Sequence, residues 1–173
     1  MNKERNLEDK STQMMRKRIY RKFPHREIEF EQKYRYHSDL PFFTKVMANM
    51  NGKFGMFVTE SLTQRGHRIQ AKREIHIEIV TNGIDFTPLN YENVDDVAQS
   101  IEKEGIMDFR LRLEYSYLDG KYNRVAFKGD VYLLRASLEN ELLVLQINHI
   151  DGPKRTECGR VADTIIDELR RGS

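Results

Sequence analysis

The chain has 173 residues, of which 39% are hydrophobic and 32% charged, and a formal net charge of +2. That length is enough for one domain with a substantial core. One cysteine excludes an internal disulfide and a multi-cysteine zinc site. No apolar run approaches the roughly 20 residues that span a bilayer, and the basic N-terminus leads into no apolar signal core, so a soluble intracellular protein is expected.

The small net charge hides an asymmetry. Residues 1–73 carry 17 Lys and Arg against 8 Asp and Glu, whereas residues 74–173 carry 12 against 19. Such a split suits a basic arm for an anionic partner and an acidic body that can meet the arm of a neighbouring copy.

Residues 1–37 are expected to form this arm, largely disordered. Its centre, Met14–Arg26, contains Arg16, Lys17, Arg18, Arg21, Lys22 and Arg26 with no acid among them. On a helix Met15, Ile19, Tyr20 and Phe23 would share one face, until Pro24 stops it. A basic amphipathic segment of this kind suits an anionic lipid membrane. It serves equally for RNA or a nucleoprotein, through phosphate contacts and stacking of Tyr20 and Phe23, and it matches a nuclear-localisation pattern.

Ser38 or Asp39 followed by Pro41 starts a helix, on which Phe42, Phe43, Val46, Met47 and Met50 form an apolar stripe that ends at Asn51-Gly52. Lys53–Leu62 fits helix or strand, with Phe57, Val58 and Thr59 favouring strand. Arg65, Arg68, Lys72 and Arg73 gather near His67 in a second basic cluster, expected on a hairpin loop. Glu74–Thr81 alternates, with Ile75, Ile77 and Ile79 on one side and His76 on the other. Asn82-Gly83 makes a tight turn. Asn93 is placed to cap a helix over Val94–Glu104, with Asp96 closing a capping box and Val94, Val97, Ala98 and Ile101 on its buried side.

Asp108–Leu118 is the clearest strand, since Phe109, Leu111, Leu113, Tyr115 and Tyr117 alternate with Arg110, Arg112, Glu114 and Ser116. After the turn at Asp119-Gly120, Arg124–Ala136 returns, with a bulge expected at Lys128-Gly129. Glu141–Ile150 is apolar enough to be buried on both faces. These three runs read as an antiparallel meander. The last helix, about Glu157–Arg170 and capped by Thr156, lays Val161, Ile165, Ile166 and Leu169 on the sheet. Cys158 sits in its first turn, where the helix dipole lowers a thiol pKa, yet no base neighbours it and a structural role is expected. The fold class is therefore α+β. A single antiparallel sheet of about four to six strands, covered by two to three helices, occupies residues 38–171 behind the flexible basic arm.

Catalytic patterns are missing: there is no Gly-rich phosphate loop, no H-E-x-x-H and no nucleophile elbow. The five histidines (25, 37, 67, 76 and 149) are scattered. The expectation is a non-enzymatic protein with no cofactor, no metal and no small-molecule substrate.

Two stretches carry family resemblances. The order from Ile75 to Leu134 is strand, turn, the aromatic Tyr91, a helix with Asp96-Val97-Ala98, then the strand Val125–Leu133 with Lys128-Gly129. It resembles the matrix protein of rhabdoviruses, particularly its small plant-infecting members. Tyr91 stands further from Asp96-Val97-Ala98 than in that family, and no Pro-Pro-x-Tyr budding motif is present. The resemblance implies a viral structural protein at the virion membrane and in the host cytoplasm. It would bind membrane and the viral nucleoprotein with its RNA, and self-associate as a homo-oligomer. Secondly, Pro41-Phe42-Phe43-Thr44-Lys45 and the order from Val131 to Leu169 are similar to the kinase-associated C-terminal domain of checkpoint kinases. That family implies a regulatory domain binding anionic lipid or an intramolecular partner. Its basic start to the last helix is replaced here by Thr156-Glu157-Cys158-Gly159. On either reading the binding set is Arg16, Lys17, Arg18, Arg21, Lys22, Arg26, Arg65, Arg68, Lys72 and Arg73, and the third alternative is an RNA-binding protein.

Overall fold

The computed structural model describes residues 17–64 and 67–172, with side chains described outside 54–70. Among the described residues there are seven strands, β1 (Phe30–Arg35), β2 (Phe54–Gln64), β3 (His67–Thr81), β4 (Asp85–Pro88), β5 (Gly105–Leu118), β6 (Arg124–Glu139) and β7 (Leu142–Asp151). Three helices accompany them: α1 (Leu40–Met50), α2 (Val94–Gln99) and α3 (Cys158–Gly172). The fold is α+β, built on one antiparallel sheet in the order β1-β7-β6-β5-β3-β2. The short β4 continues the β2 side of β3, pairing with Glu78–Thr81.

Strand alternation decides which face is dry. Met107, Phe109, Leu111, Leu113 and Tyr115 of β5 are buried with Leu134, Ala136 and Leu138 of β6 and Leu143, Leu145 and Ile147 of β7. On this face lie α1, through Phe43 and Met47, and α3, through Val161, Ile165, Ile166 and Leu169. The rings of Phe43 and Phe109 meet at 5.8 Å. Each such large side chain contributes about 1.5–3 kcal/mol when fully buried. The Asp39 carboxylate caps α1 by accepting from the amide of Phe42 at 2.9 Å, and Pro41 fits the first turn, where no amide donor is needed.

The bulge falls where Lys128-Gly129 placed it. Leu113 faces Asp130 and Tyr115 faces Phe127, so β6 carries one residue more than β5 across that interval. Three local expectations change. The β7 run alternates between buried and half-exposed residues, because only one of its faces meets the helices. The helix after Asn93 is a single short segment ending at Gln99. The Asn93 side chain holds Asn90 N and Pro88 O and makes no cap hydrogen bond. Of the second basic cluster, Arg68, Lys72 and Arg73 belong to the first half of β3 and not to a loop, and Arg65 lies outside the described residues.

The largest difference concerns the arm. Residues 1–16 lie outside the described residues, but from Lys17 onward the chain is part of the sheet domain. Phe30–Arg35 is an edge strand paired to β7, and residues 17–29 cross the polar face of the sheet as a strap. The strap starts at the Asn82-Gly83 turn, where Gly83 N donates to Lys17 O and Arg21 N donates to Gly83 O, both at 3.0 Å. Asp108 N donates to Arg18 O at 2.9 Å, at a point where β3 has stopped pairing with β5. Further along, Asn148 of β7 acts as a substitute strand. Its amide donates to Glu27 O and its carbonyl accepts from Glu29 N, each at 2.9 Å. The sequence pattern missed this because the strap has no period of its own and borrows its partners from side chains.

A buried ion pair fastens the middle of the strap. Arg135 of β6 grips Asp108 of β5 at 2.7 and 2.8 Å, and the same carboxylate accepts from Tyr20 N at 2.6 Å. The Arg135 guanidinium covers the ring of Phe23 at 4.1 Å, leaving Phe23 only 3% exposed. Removing one member of such a pair leaves the other charge buried and uncompensated. Asp108→Ala is therefore expected to lower unfolding stability by about 3–5 kcal/mol in urea melts. It should also make the chain cleavable by trypsin at Arg21 and Lys22, whereas the wild-type strap resists.

Candidate functional site

The helix-facing side of the bulge holds a closed polar network. Lys128-Gly129 lets β6 approach β5 so tightly that a Cβ on Gly129 would stand 2.3 Å from Leu113 O. Gly152, at φ +100°, leaves no more room, since its Cβ would lie 2.1 Å from Gly129 O. This close approach brings the connection from β7 to α3 over Asp130, which is 1% exposed. Oδ1 of Asp130 accepts from Lys154 N at 2.6 Å and lies 3.0 Å from His149 Nε2. Oδ2 accepts from Tyr115 OH at 2.7 Å and from Arg155 N at 2.8 Å. Tyr132 OH donates to Thr156 O, while the Thr156 hydroxyl meets Tyr115 OH at 2.9 Å and accepts from Arg73 Nη1 at 3.2 Å.

The Tyr–Asp–His cluster ties β5, β6 and β7 to the connection that leads into α3. Both oxygens of Asp130 are committed to two contacts each, so the carboxylate is held by its neighbours. Burial, followed by the nearby Asp130 charge, pushes the Tyr132 phenol well above the ordinary tyrosine range. Burial likewise pushes Tyr115 up, opposed by its Thr156 contact and reinforced by Asp130. Among the described residues no group of three or more His, Cys, Asp or Glu is placed to hold a metal ion.

Among the described residues the predicted cations do not converge. Lys17, Arg21, Lys22 and Arg26 are exposed on the strap. Arg18 turns inward, donating to Val80 O at 3.3 Å and Ser100 Oγ at 3.1 Å. Tyr20 stacks obliquely on Phe86 at 4.9 Å, and Phe23 is buried, so the strap's aromatic side chains are used inside the fold. Lys72 lies on the polar face of β3 beside Glu74, at 3.4 Å. Arg73, the next residue, points to the helix side. Lys72 and Val80 are eight steps apart along β3, roughly 26 Å. Arg16, Arg65 and the side chain of Arg68 lie outside the described residues.

Arg73 opens onto a feature the sequence did not announce. A cleft of about 590 Å³ lies between α3 and the β3–β5 part of the sheet. Met50, Ile75, Leu113 and Val161 give it apolar walls. Arg73 and Thr156 stand at the end where α3 begins. Lys53 and Arg171 stand at the other, each bonded to Glu168, at 3.2 and 2.9 Å. Its wall residues come from the α1–β2 turn, two strands and α3, so no local pattern could have grouped them.

The chain matches no family model, no curated protein and no solved structure. Its own geometry is thus what speaks to function. No described helix is long and apolar enough to cross a membrane.

Cys158, in the first turn of α3, is buried, and this burial raises its thiol pKa where the helix dipole alone would lower it. Iodoacetamide is accordingly expected to modify Cys158 slowly in the native protein and readily in denaturant, read by mass spectrometry. The tyrosine shifts give a second expectation. Their folded pKa values are raised, so their contribution to stability is complete below the unfolded value near ~10 and is lost as pH rises through the folded values. An absorbance titration should show Tyr115 and Tyr132 ionising only together with alkaline unfolding, and Tyr115→Phe should melt at a lower temperature.

Proposed function

We propose that the protein is a non-enzymatic, matrix-type module that docks on an anionic membrane through its strap and associates with further copies of itself. The observation that carries this reading is the exposure of Lys17, Arg21, Lys22 and Arg26 on a strap whose aromatic side chains are turned into the fold. Each basic side chain near anionic headgroups contributes about 1 kcal/mol, so four supply about 4 kcal/mol, enough for reversible peripheral docking.

Because Tyr20 and Phe23 are occupied within the fold, the strap offers neither an apolar face for insertion nor rings for base stacking. That favours an electrostatic, salt-sensitive contact with headgroups over RNA binding by stacking. The sheet is open, with β1 and β2 at its ends, so strand edges and the acidic C-terminal portion are available to a second copy.

Co-sedimentation with phosphatidylserine vesicles, phosphatidylcholine vesicles and RNA tests the reading. Binding to phosphatidylserine alone is expected at about 0.1 M salt and should fall away near about 0.5 M. The variant K17E/R21E/K22E/R26E should lose at least about 100-fold in partitioning. Unchanged sedimentation of that variant, or binding to RNA and not to vesicles, would overturn membrane docking. Light scattering at falling salt should show growth in mass, and a monomer at every salt concentration would remove self-association in favour of a regulatory domain.

A further inference from the structure

The sheet ends at β1, and among the described residues no strand pairs with its outer side. Tyr36 N donates to Glu141 O at 2.9 Å, one step beyond the Arg35–Leu142 pair. Alternation along an antiparallel ladder therefore turns the backbone of Phe30, Gln32 and Tyr34 toward β7, and that of Glu31, Lys33 and Arg35 outward. An edge of unpaired amides and carbonyls is a template for another strand. The side chains alternate too. Phe30 and Tyr34 lie on the helix side, packed against the core, with Gln32 exposed between them. Glu31, Lys33 and Arg35 are exposed on the polar face, where Glu31 accepts from Gln146 at 2.6 Å.

This edge is complementary to itself in one register. In a two-fold antiparallel pairing that continues the sheet, directly opposed residues share a face. With the axis at Gln32, Glu31 of one copy stands opposite Lys33 of the other, and Phe30 stands opposite Tyr34. The symmetry repeats both pairs. Opposite charges and aromatic pairs stabilise a ladder, and like charges directly opposed destabilise it. Moving the axis by one residue sets Glu31 against Glu31 or Lys33 against Lys33. The edge charges thus favour one register and oppose its neighbours. From this complementarity we infer that β1 pairs with β1 of a second copy, in a closed dimer whose sheet runs through both chains. The backbone groups of Glu31 and Lys33 bond across the axis, and their side chains pair on the polar face. Phe30 and Tyr34 extend the two cores toward each other. The interface rests on the self-association already proposed for this module.

Sedimentation velocity of the full chain tests the interface. At about 0.1 M salt the wild type should form a concentration-dependent dimer, which weakens toward about 0.5 M because the charge pairs are exposed. Glu31→Lys and Lys33→Glu each set like charges in both symmetric pairs, so each should weaken the dimer at least about 10-fold. Mixed in equal amounts, the two variants should form a heterodimer of wild-type strength, since every lysine then meets a glutamate. Misfolding of either variant would not give that rescue. Gln32→Cys lies on the axis, in a pair whose side chains approach closely, so air oxidation should link it into a disulfide dimer. Lys33→Cys, displaced along the strand from its own copy, should stay unlinked, and native Cys158 is buried. A wild type that stays monomeric overturns both the interface and self-association. Unchanged assembly of Glu31→Lys and Lys33→Glu, or mixing without rescue, overturns the interface and leaves self-association to another surface. Every variant keeps the strap cations, so co-sedimentation with phosphatidylserine vesicles reads membrane docking separately.

Discussion

The Asp130 carboxylate is the constraint on which the arrangement of the sheet and α3 depends. It is buried, and a buried carboxylate is tolerated only where donors replace the water it has lost. The donors come from β5 (Tyr115), β7 (His149) and the amides of Lys154 and Arg155, so three parts of the chain must arrive together. Those two amides belong to the connection that launches α3. Once they are fixed, the helix axis, the burial of Val161 and Ile165 and the width of the cleft follow. Gly129 and Gly152 are needed for the same reason, since any side chain at either would collide with backbone.

A second buried carboxylate, Asp108, plays the equivalent part on the opposite face. It joins β5 to β6 through Arg135 and draws in the strap through Tyr20 N. The sheet is thus held from both sides by acids whose partners come from distant stretches of chain. The consequence for function is a division of the basic residues. Those that satisfy the fold, such as Arg18 and Arg135, are turned inward, and those left exposed on the strap are available to an outside anion. The strap is a pinned band of charge whose aromatic side chains stabilise the protein itself.

Arg73 shows how one residue can leave the group its sequence suggests. Beside Lys72 it reads as one charge in a basic patch, but neighbouring residues in a strand point to opposite faces. Lys72 therefore stays on the polar face near Glu74, and Arg73 joins the cleft, bonded to Thr156. No count of charge along the chain distinguishes the two.

What the sequence determined by itself is whatever depends on near neighbours. The second half of β3, the strands β5 and β6, the bulge at Lys128-Gly129, a cap just ahead of Pro41 and the stripes of α1 and α3 follow from alternation, helical period and turn residues. The tertiary structure alone decided the strap, the short α2, the two carboxylate networks and the cleft. The strap has no regular period, and Asn93 gave its side chain to Asn90 and Pro88. Asp108 and Asp130 found partners 15 to 88 positions away. Burial and long-range hydrogen bonding are properties of folded neighbours, and an order of residues along a chain does not contain them.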